Sequence, residues 1–268
     1  MPIEKSAGTT PSEQLLTQLC DNSFLGFWSF ANPFRDQGGP KEICDLLVLC
    51  GEDIIIFSDK SCAFIDSGDL QRDWERWYRR AIGNSVKQIH GGERWIRQHP
   101  DRIFLNKDLD QPIPVAIGDP SKLQVHRVVV ALGARKACRR HRGGRGSLTL
   151  KTGACGVSSS DAFSPSGEPF VLHDLGNELK PVHVFDDVSL PLVLKHLDTI
   201  TDFVSYLKFK EGVFAAGKIG RIVGEENLLA LYLSRFNESE HWRETLGRVN
   251  DGTYLEIPNG GWDILMDT

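Results

Sequence analysis

The stretch EICDLLVLCGEDIIIFSDK, residues 42–60, is the part of the sequence that decides the fold. It contains two apolar runs, Ile43–Cys50 and Ile54–Phe57, and the residues Gly51-Glu52-Asp53 separate them. Short runs rich in Ile and Val around a short turn that contains glycine are typical of a β-hairpin. The sequence therefore predicts two antiparallel strands here.

The hairpin also brings charged residues together. Side chains alternate along a strand, so Ser58 and Lys60 share one face of the second strand. A nearly symmetric register places Asp45, at the start of the first strand, opposite the end of the second. Burying a carboxylate and a lysine at one sheet edge is costly unless they pair or serve a ligand. The plain alternative is a cross-strand ion pair worth under about 1 kcal/mol.

The segments around the hairpin alternate between helical and extended patterns. Apolar residues at three- and four-residue steps predict a first helix from Pro11 to about Cys20 and a second over 70–98, which Gly91-Gly92 would bend or split. Strands are predicted near 24–28, 102–105 and 125–132. This order predicts an α/β core with a mixed central sheet flanked by helices over residues 11–132.

The second half of the chain has a different composition. Residues 133–179 are basic and then rich in Ser and Gly, which predicts a linker or loop. Residues 180–268 are expected to form an α+β region of unknown role. That region would contain a strand near Val182–Phe185 and helices near Leu190–Phe209 and Glu225–Phe236.

The predicted core resembles the PD-(D/E)XK nuclease superfamily, particularly its Mrr-like and nuclease-related branch. The resemblance covers roughly residues 11–132 and implies a restriction-endonuclease-like fold. The matching residues are Glu13 on the first helix, Asp45 opening one strand, Lys60 ending the next strand, and Gln88 on the following helix.

One position departs from the family pattern. Ser58 stands two residues before Lys60, where the family usually has Glu or Asp. Asp59 comes one residue late and is expected to point to the other face. Three alternatives follow: Ser58 completes the metal shell through a water, Glu42 supplies the missing carboxylate, or the site is degenerate.

The resemblance implies a nuclease that uses Mg²⁺ or Mn²⁺ to hydrolyse phosphodiester bonds in DNA, or less favourably in RNA. It implies Asp45 as the principal metal ligand, Glu13 as a ligand or outer-shell carboxylate, Lys60 acting on the attacking water, and Gln88 orienting the phosphate or water. Restriction, defence or repair would be the cellular role. The alternative is a catalytically degenerate nuclease fold that binds nucleic acid or protein.

Two of these residues also have ordinary structural explanations. Acidic residues favour the first turn of a helix because of the helix dipole, which accounts for Glu13 by itself. Gln88 could be a solvated helix residue. Trp74, Trp77 and Tyr78 could stack on bases, although aromatic residues at helical spacing more often belong to the core.

A basic run follows residue 133 and is the best local candidate for contacts with a phosphate backbone. Its alternative is a solvated loop in an acidic protein. The candidate residues are Arg135, Lys136, Arg139, Arg140, Arg142 and Arg145.

Composition limits the remaining classes of function. The net charge of −5 gives no global signature of nucleic-acid binding, so such binding depends on local patches. No apolar stretch predicts a membrane span or a signal peptide, and six cysteines without a CxxC pair predict reduced thiols and a cytoplasmic protein. Zinc motifs, a hydrolase triad and a phosphate loop are poorly supported. Protein partners and a homo-oligomeric state stay open.

Overall fold

The computed structural model describes most of the chain. The described residues are 5–24, 28–151, 167–173, 181–216, 219–234, 255–257, 260 and 262–263. The helices are α1 (Pro11–Phe24), α2 (Leu70–Tyr78), α3 (Asn84–Gln98), α4 (Arg135–Arg142), α5 (Ser189–His196), α6 (Ile200–Ala216) and α7 (Glu225–Ser234). The strands are β1 (Ser29–Ala31), β2 (Phe34–Arg35), β3 (Lys41–Glu42), β4 (Leu46–Cys50), β5 (Asp53–Ser61), β6 (Gln124–Leu132), β7 (Thr149–Lys151), β8 (Val171–His173), β9 (Val182–Asp186), β10 (Ile219–Val223) and β11 (Leu255–Ile257).

A mixed five-stranded sheet forms the centre of the molecule, in the order β1-β4-β5-β6-β9. The β1–β4 and β4–β5 pairs are antiparallel, whereas β6 and β9 continue the sheet in parallel. The predicted α/β class with a mixed sheet flanked by helices is therefore confirmed. The three central strands read as nearly continuous apolar runs because both of their faces are covered.

The predicted hairpin is present, with a tighter turn than expected. Cys50 pairs with Asp53, so only Gly51 and Glu52 lie in the loop. Gly51 has a φ of 63°, which is the left-handed value that a two-residue hairpin turn requires at its first central position. This short loop places the residue before β4 opposite Ser58 and thereby sets the register on which the site depends.

Helices cover both faces of the sheet. The α1 helix packs against β1, β4 and β5, and Phe203 of α6 contacts Phe57 of β5 on the same side. The α3 helix packs against β5 and β6 on the other side, where Gln88 meets Ser58. Phe57 and Ser58 are neighbours in β5, so their opposite directions follow from strand alternation.

The second half of the chain contributes to the same core. β9 pairs with β6 along Arg127–Ala131, so the central sheet includes a strand from beyond residue 180. A four-stranded sheet, β11-β10-β7-β8, lies beside it, and the buried apolar residues of both sheets form one continuous cluster. A parallel pair requires a long crossover between its strands, and the segment between residues 132 and 182 supplies it.

The long helical stretch is interrupted at a different place from the one predicted. A π-helical turn, Arg79–Gly83, separates α2 from α3, whereas α3 continues through Gly91 and Gly92. The helix does not bend at Gly92. The missing side chain of Gly92 allows α3 to approach Ile43 closely, and a Cβ at this position would lie 3.0 Å from the carbonyl oxygen of Ile43.

Other local predictions differ from the structure. Residues 102–105 form no strand, because Phe104 makes only isolated bridges to Phe34 and Pro112. The helix predicted over 190–209 is divided into α5 and α6. The region 133–179, predicted as a linker or loop, contains α4, β7 and β8. Most of the Ser- and Gly-rich stretch 153–168 and part of the strand predicted at 24–28 lie outside the described residues.

Two further predictions concern membrane-spanning helices and the state of the cysteines. No helix in the described ranges combines the length and apolarity needed to cross a membrane. The five cysteines within those ranges are free thiols, and all but Cys50 are buried. Small buried thiols of this kind act as packing residues.

Candidate functional site

Asp45 is the centre of the site. It precedes β4, is 2% exposed, and its backbone N–H donates to the carbonyl of Phe57. Its Oδ2 accepts hydrogen bonds from the backbone N–H of Asp59 at 2.5 Å and from Lys60 Nζ at 3.3 Å. The hairpin register therefore directs a buried carboxylate toward the end of β5, where hydrogen-bond donors stabilise its negative charge.

Ser58 and Gln88 complete the immediate surroundings of Asp45. The Ser58 hydroxyl lies 3.2 Å from Oδ2 of Asp45 and 3.0 Å from Oε1 of Gln88. The Gln88 amide donates to Oδ1 of Asp45 at 3.2 Å. Gln88 is thus half-buried against the hairpin, and both the oxygen and the nitrogen of its amide form hydrogen bonds. It is not a solvated helix residue.

Lys60 lies at the open side of this cluster. Its side chain is 33% exposed, whereas that of Asp45 is buried. The ion pair that they form is the contact expected from the hairpin, and a pair of this exposure contributes under about 1 kcal/mol to folding. Solvent access on the lysine side leaves its ammonium group reachable by an anionic ligand.

Glu42, at the end of β3, brings a second carboxyl to Asp45. Burial raises the pKa of Glu42 to about 7, and a hydrogen bond to Asp45, together with repulsion from Asp45 and Glu13, acts in the same direction. Two adjacent carboxyl groups cannot both be charged without cost unless a proton or a cation lies between them. The proximity of Asp45 is therefore one reason why Glu42 keeps its proton to a higher pH than an ordinary carboxyl group.

Glu13 has a structural role at the start of α1. The backbone N–H groups of Thr9 and Thr10 donate to its Oε2, while its own N–H donates to the Thr10 hydroxyl. This is the capping box expected of Thr-x-x-Glu at a helix start. Burial by itself would raise the pKa of Glu13, but hydrogen bonds from Thr9, Asn32 and Thr10 lower it.

Asn32 is a site residue that the sequence did not reveal. It is buried, and its Nδ2 donates to Glu13 while its backbone N–H donates to the carbonyl of Asp45. It thereby joins α1 to the start of β4. The only local signal is the dipeptide Asn32-Pro33, which predicts a turn rather than a link between distant carboxylates.

Asp59 points to the other face of β5 from Ser58, as predicted, and that face is the one near Ser12 of α1. It is 3% exposed, and neither of its carboxylate oxygens has a hydrogen-bond partner within the described chain. Burial raises its pKa to about 6, repulsion from Asp45 and Glu13 adds to the rise, and the nearby Ser12 and Lys60 oppose it. The site thus has more carboxyl groups than Lys60 can neutralise.

The described side chains do not form a closed metal cage. Across the part of the chain that the structure covers, no three His, Cys, Asp or Glu side chains are grouped so that they could hold a metal ion. Glu42 and Asp45 are close to each other, but Glu13 uses its Oε2 in the helix cap.

The basic run 135–145 is mostly helical, and the structure divides its residues into two sets. Lys136 and Arg139 are exposed on α4 and form no ion pair with a described acidic residue, and Arg135 donates to the carbonyl of Arg145. The other three guanidinium groups have acidic partners: Arg140 pairs with Asp66, Arg142 with Glu168, and Arg145 with Asp263.

The aromatic residues of α2 belong to the core. Trp74 is fully buried, and Trp77 and Tyr78 are each 2% exposed. The Trp77 indole donates to the carbonyl of Cys62 at 2.8 Å, and Trp74 stacks against Trp77. Rings packed in this way are not available as platforms for stacking bases.

Comparison with known proteins gives no relative from which a role could be transferred. No protein-family model, curated protein or solved structure matches this chain. The functional argument therefore depends on the geometry of the site.

Proposed function

We propose that the chain is a metal-dependent nuclease of the PD-(D/E)XK type that hydrolyses phosphodiester bonds in DNA, with RNA as the less favoured substrate. One observation carries the proposal: Asp45, Lys60 and Gln88 meet at one end of the β4–β5 hairpin. Gln88 is separated from Asp45 by 43 residues. Their convergence is what the resemblance to the nuclease superfamily requires of these positions.

The architecture supports the same proposal. The order of helix, antiparallel hairpin, helix and parallel strand, represented by α1, β4–β5, α3 and β6, is compatible with a restriction-endonuclease-like core. The site lies at the C-terminal end of β5, and Lys60 opens to solvent there.

The carboxyl pair fits a hard divalent cation. Mg²⁺ usually takes one or two protein carboxylates, keeps several waters and shares the phosphate of its substrate, so it needs no cage of three side chains. Glu42 and Asp45 would hold it, and Glu13 and Asp59 would add negative potential. When bound, the cation would polarise the phosphate and lower the pKa of a water.

The remaining residues have roles that follow from their contacts. Lys60 is placed to stabilise negative charge on the phosphate or to position the attacking water. Gln88 holds Oδ1 of Asp45 and can turn its amide toward a phosphate oxygen. Ser58 fixes both Asp45 and Gln88, so it acts as a positioning residue in place of the usual carboxylate.

The biological setting follows from the resemblance. Restriction of foreign DNA, defence or repair is the role that we propose, in the cytoplasm. The reduced cysteines are compatible with that location.

A cleavage assay tests the proposal. Plasmid, linear and single-stranded DNA and RNA are incubated with Mg²⁺ or Mn²⁺ and with wild type, Asp45→Asn or Lys60→Ala. We expect each variant to lose activity by about 100-fold or more, because each removes charge from the reacting centre. Asp53→Asn is the matched control, because Asp53 lies in the same hairpin at its other end. Equal activity in wild type, Asp45→Asn and Lys60→Ala would place catalysis elsewhere.

A second candidate function is a catalytically degenerate nuclease fold that binds nucleic acid or protein. Two observations favour it: Ser58 replaces the usual carboxylate, and both oxygens of Asp45 already accept hydrogen bonds. Calorimetric titration with Mg²⁺ and Mn²⁺ separates the two candidates. Binding that Asp45→Asn abolishes supports the enzyme, whereas wild type that binds neither ion supports the degenerate module.

A further inference from the structure

A groove lies beside the C-terminal end of β5, between the segment that follows this strand and helix α2. Its volume is about 470 Å³, which is within the range of small-ligand sites. Its apolar lining consists of Ala63, Ile65 and Trp77. Its basic lining consists of Arg76, Arg79 and Arg80.

The charge of this groove is strongly positive. Its three arginines are exposed, and none of them forms an ion pair with an acidic side chain in the described ranges. The one acidic residue of the lining, Asp73, accepts hydrogen bonds from the backbone N–H and hydroxyl of Ser67 at 2.6 and 2.8 Å. One engaged carboxylate against three guanidinium groups leaves an excess of positive charge.

The surroundings keep this charge available. The segment between β5 and α2 has two acidic residues: Asp66 pairs with Arg140 of α4, and Asp69 caps α2 by accepting a hydrogen bond from the backbone N–H of Arg72. Arg79 is anchored through its Nε to the carbonyl of Glu75 at 3.2 Å. Arg79 and Arg80 also lie in the π-helical turn, and such turns recur at functional sites.

The apolar lining of the groove includes an exposed residue. Ile65 is 57% exposed, and it shares the groove with the three arginines. A groove that combines exposed apolar surface with guanidinium groups suits a ligand with a flat, weakly polar body and a phosphate. A nucleotide has both parts, and the face of its base is accessible only when the base is unpaired.

The groove is close to the site at Asp45 and Lys60. Ala63 follows Lys60 by three residues, so their Cα atoms are at most roughly 11 Å apart. A nucleic-acid strand that presents a phosphate to Lys60 is therefore long enough to reach this groove with a nearby nucleotide.

We propose that the groove is a nucleotide subsite of the nuclease. Arg76, Arg79 and Arg80 bind a backbone phosphate, and Ile65 contacts an unpaired base or its sugar. This inference rests on the proposed function, and it assigns to that function a substrate with unpaired nucleotides beside the cleaved bond.

Binding without metal tests the subsite separately from catalysis. A fluorescent single-stranded oligonucleotide and a blunt duplex of the same sequence are titrated in the presence of EDTA, and anisotropy is measured at several salt concentrations. We expect Arg76→Ala/Arg80→Ala to raise the Kd for the single strand by tenfold or more. The slope of log K against log salt should fall by about 0.7, since each phosphate that is neutralised on a single strand contributes about 0.7 to the slope.

The matched control is Arg72→Ala/Arg94→Ala, which removes the same charge from exposed positions of α2 and α3 outside the groove. Thermal melting of both double variants checks that they fold. Ile65→Ser should weaken binding of the single strand and leave the duplex unchanged. Equal binding by the groove variant and the control would overturn the subsite.

The outcomes also separate this inference from the proposed function. If wild type cleaves and Asp45→Asn does not, while the groove variant binds like its control, the nuclease stands and the subsite is wrong. If wild type neither binds nor cleaves any nucleic acid, both fail. An equal loss of single-strand and duplex binding in Ile65→Ser would overturn the assignment to unpaired nucleotides.

Discussion

Asn32 shows how one residue can connect two parts of the candidate site. Its φ of 48° is in the left-handed region, which Asn tolerates better than most residues. In this conformation its side chain reaches both Glu13 and Ser6, and its backbone reaches Asp45. The cost of the backbone conformation is offset by three hydrogen bonds to separate segments.

The adjacent glycines of α3 form a natural pair for comparison. A Cβ at Gly92 would lie 3.0 Å from both the carbonyl oxygen and Cγ2 of Ile43, whereas a Cβ at Gly91 would meet nothing within 4 Å. Ile43 lies between Glu42 and Asp45. A shift of Ile43 would therefore be transmitted to both carboxyl groups.

We expect opposite results for alanine at these two positions. Gly91→Ala should stabilise the protein by about 1 kcal/mol, because alanine has the higher helix propensity. Gly92→Ala should lose that gain and cost about 1–3 kcal/mol through overpacking against Ile43. Urea denaturation measures both variants, and cleavage activity should fall in Gly92→Ala alone. Equal stabilisation by the two substitutions would show that the contact with Ile43 is not restrictive.

Helix α4 has two kinds of basic residue, and the sequence alone does not distinguish them. Arg140 and Arg142 pair with acidic side chains, so part of the charge of this helix is used to hold neighbouring segments. Lys136 and Arg139 are exposed and have no acidic partner among the described residues. The second pair is therefore the part of the basic run that remains suited to phosphate contacts.

The two kinds of residue predict different phenotypes. Lys136→Ala/Arg139→Ala should weaken binding of duplex DNA and lower the salt slope by about 2, since each phosphate contact contributes about 1. Arg142→Ala should mainly lower stability, because it removes the hydrogen bonds that Arg142 donates to Glu168 and to the carbonyl of Pro169. Anisotropy titrations and thermal melting give the two readouts. If Arg142→Ala impaired binding as much as the double variant, the division would be wrong.

The elements that were predictable from sequence are those with strong local patterns. β5 and β6 each contain a run of three β-branched residues, and α3 keeps a helical period, so their burial pattern is visible in the sequence. The segment 102–105 has a similar short apolar pattern but makes only isolated bridges. A run of four residues cannot show whether a partner strand will be available.

A polar network joins α6 to the central sheet and affects the stability of the whole molecule. His183 of β9 and His126 of β6 bond through their Nε2 atoms to Glu211 and Asp53, at 3.0 and 2.9 Å. Burial lowers the pKa of His183 to about 4, while the hydrogen bond to Glu211 opposes this and Lys210 supports it. His183 is therefore neutral in the folded protein at pH 7.

The direction of the pH effect follows from this shift. The unfolded chain protonates His183 near its ordinary pKa of 6.5, whereas the folded protein resists protonation down to about 4. Its contribution to stability is complete above pH 6.5 and is lost as the pH falls toward 4. The loss is on the order of 3 kcal/mol. Glu42 and Asp59, whose pKa values are raised to about 7 and 6, titrate in the same range with the opposite effect on stability. Urea denaturation between pH 7 and 4 should therefore show the contribution of His183 as a difference between wild type and a His183 variant.

A histidine substitution identifies the source of the effect. His183→Gln should be less stable than wild type at pH 7, and the difference in the free energy of unfolding between the two proteins should shrink between pH 6.5 and 4. His141→Gln, which removes an exposed histidine from α4, serves as the control. A wild-type slope retained in His183→Gln would assign the titration to another group.

The sequence by itself determined the hairpin, the register that brings Asp45 to Lys60, and the mixed α/β class, because alternation and helical period are properties of neighbouring residues. It could not determine that β9 extends the sheet or that Gln88 reaches Asp45. It also could not show that Asn32 joins Glu13 to β4, or that three arginines share a groove with Ile65. Those contacts join residues far apart in the chain, or depend on how loops pack. They form only when the whole chain folds, because the buried polar groups must find hydrogen-bond partners while the apolar faces of the helices and strands are removed from water.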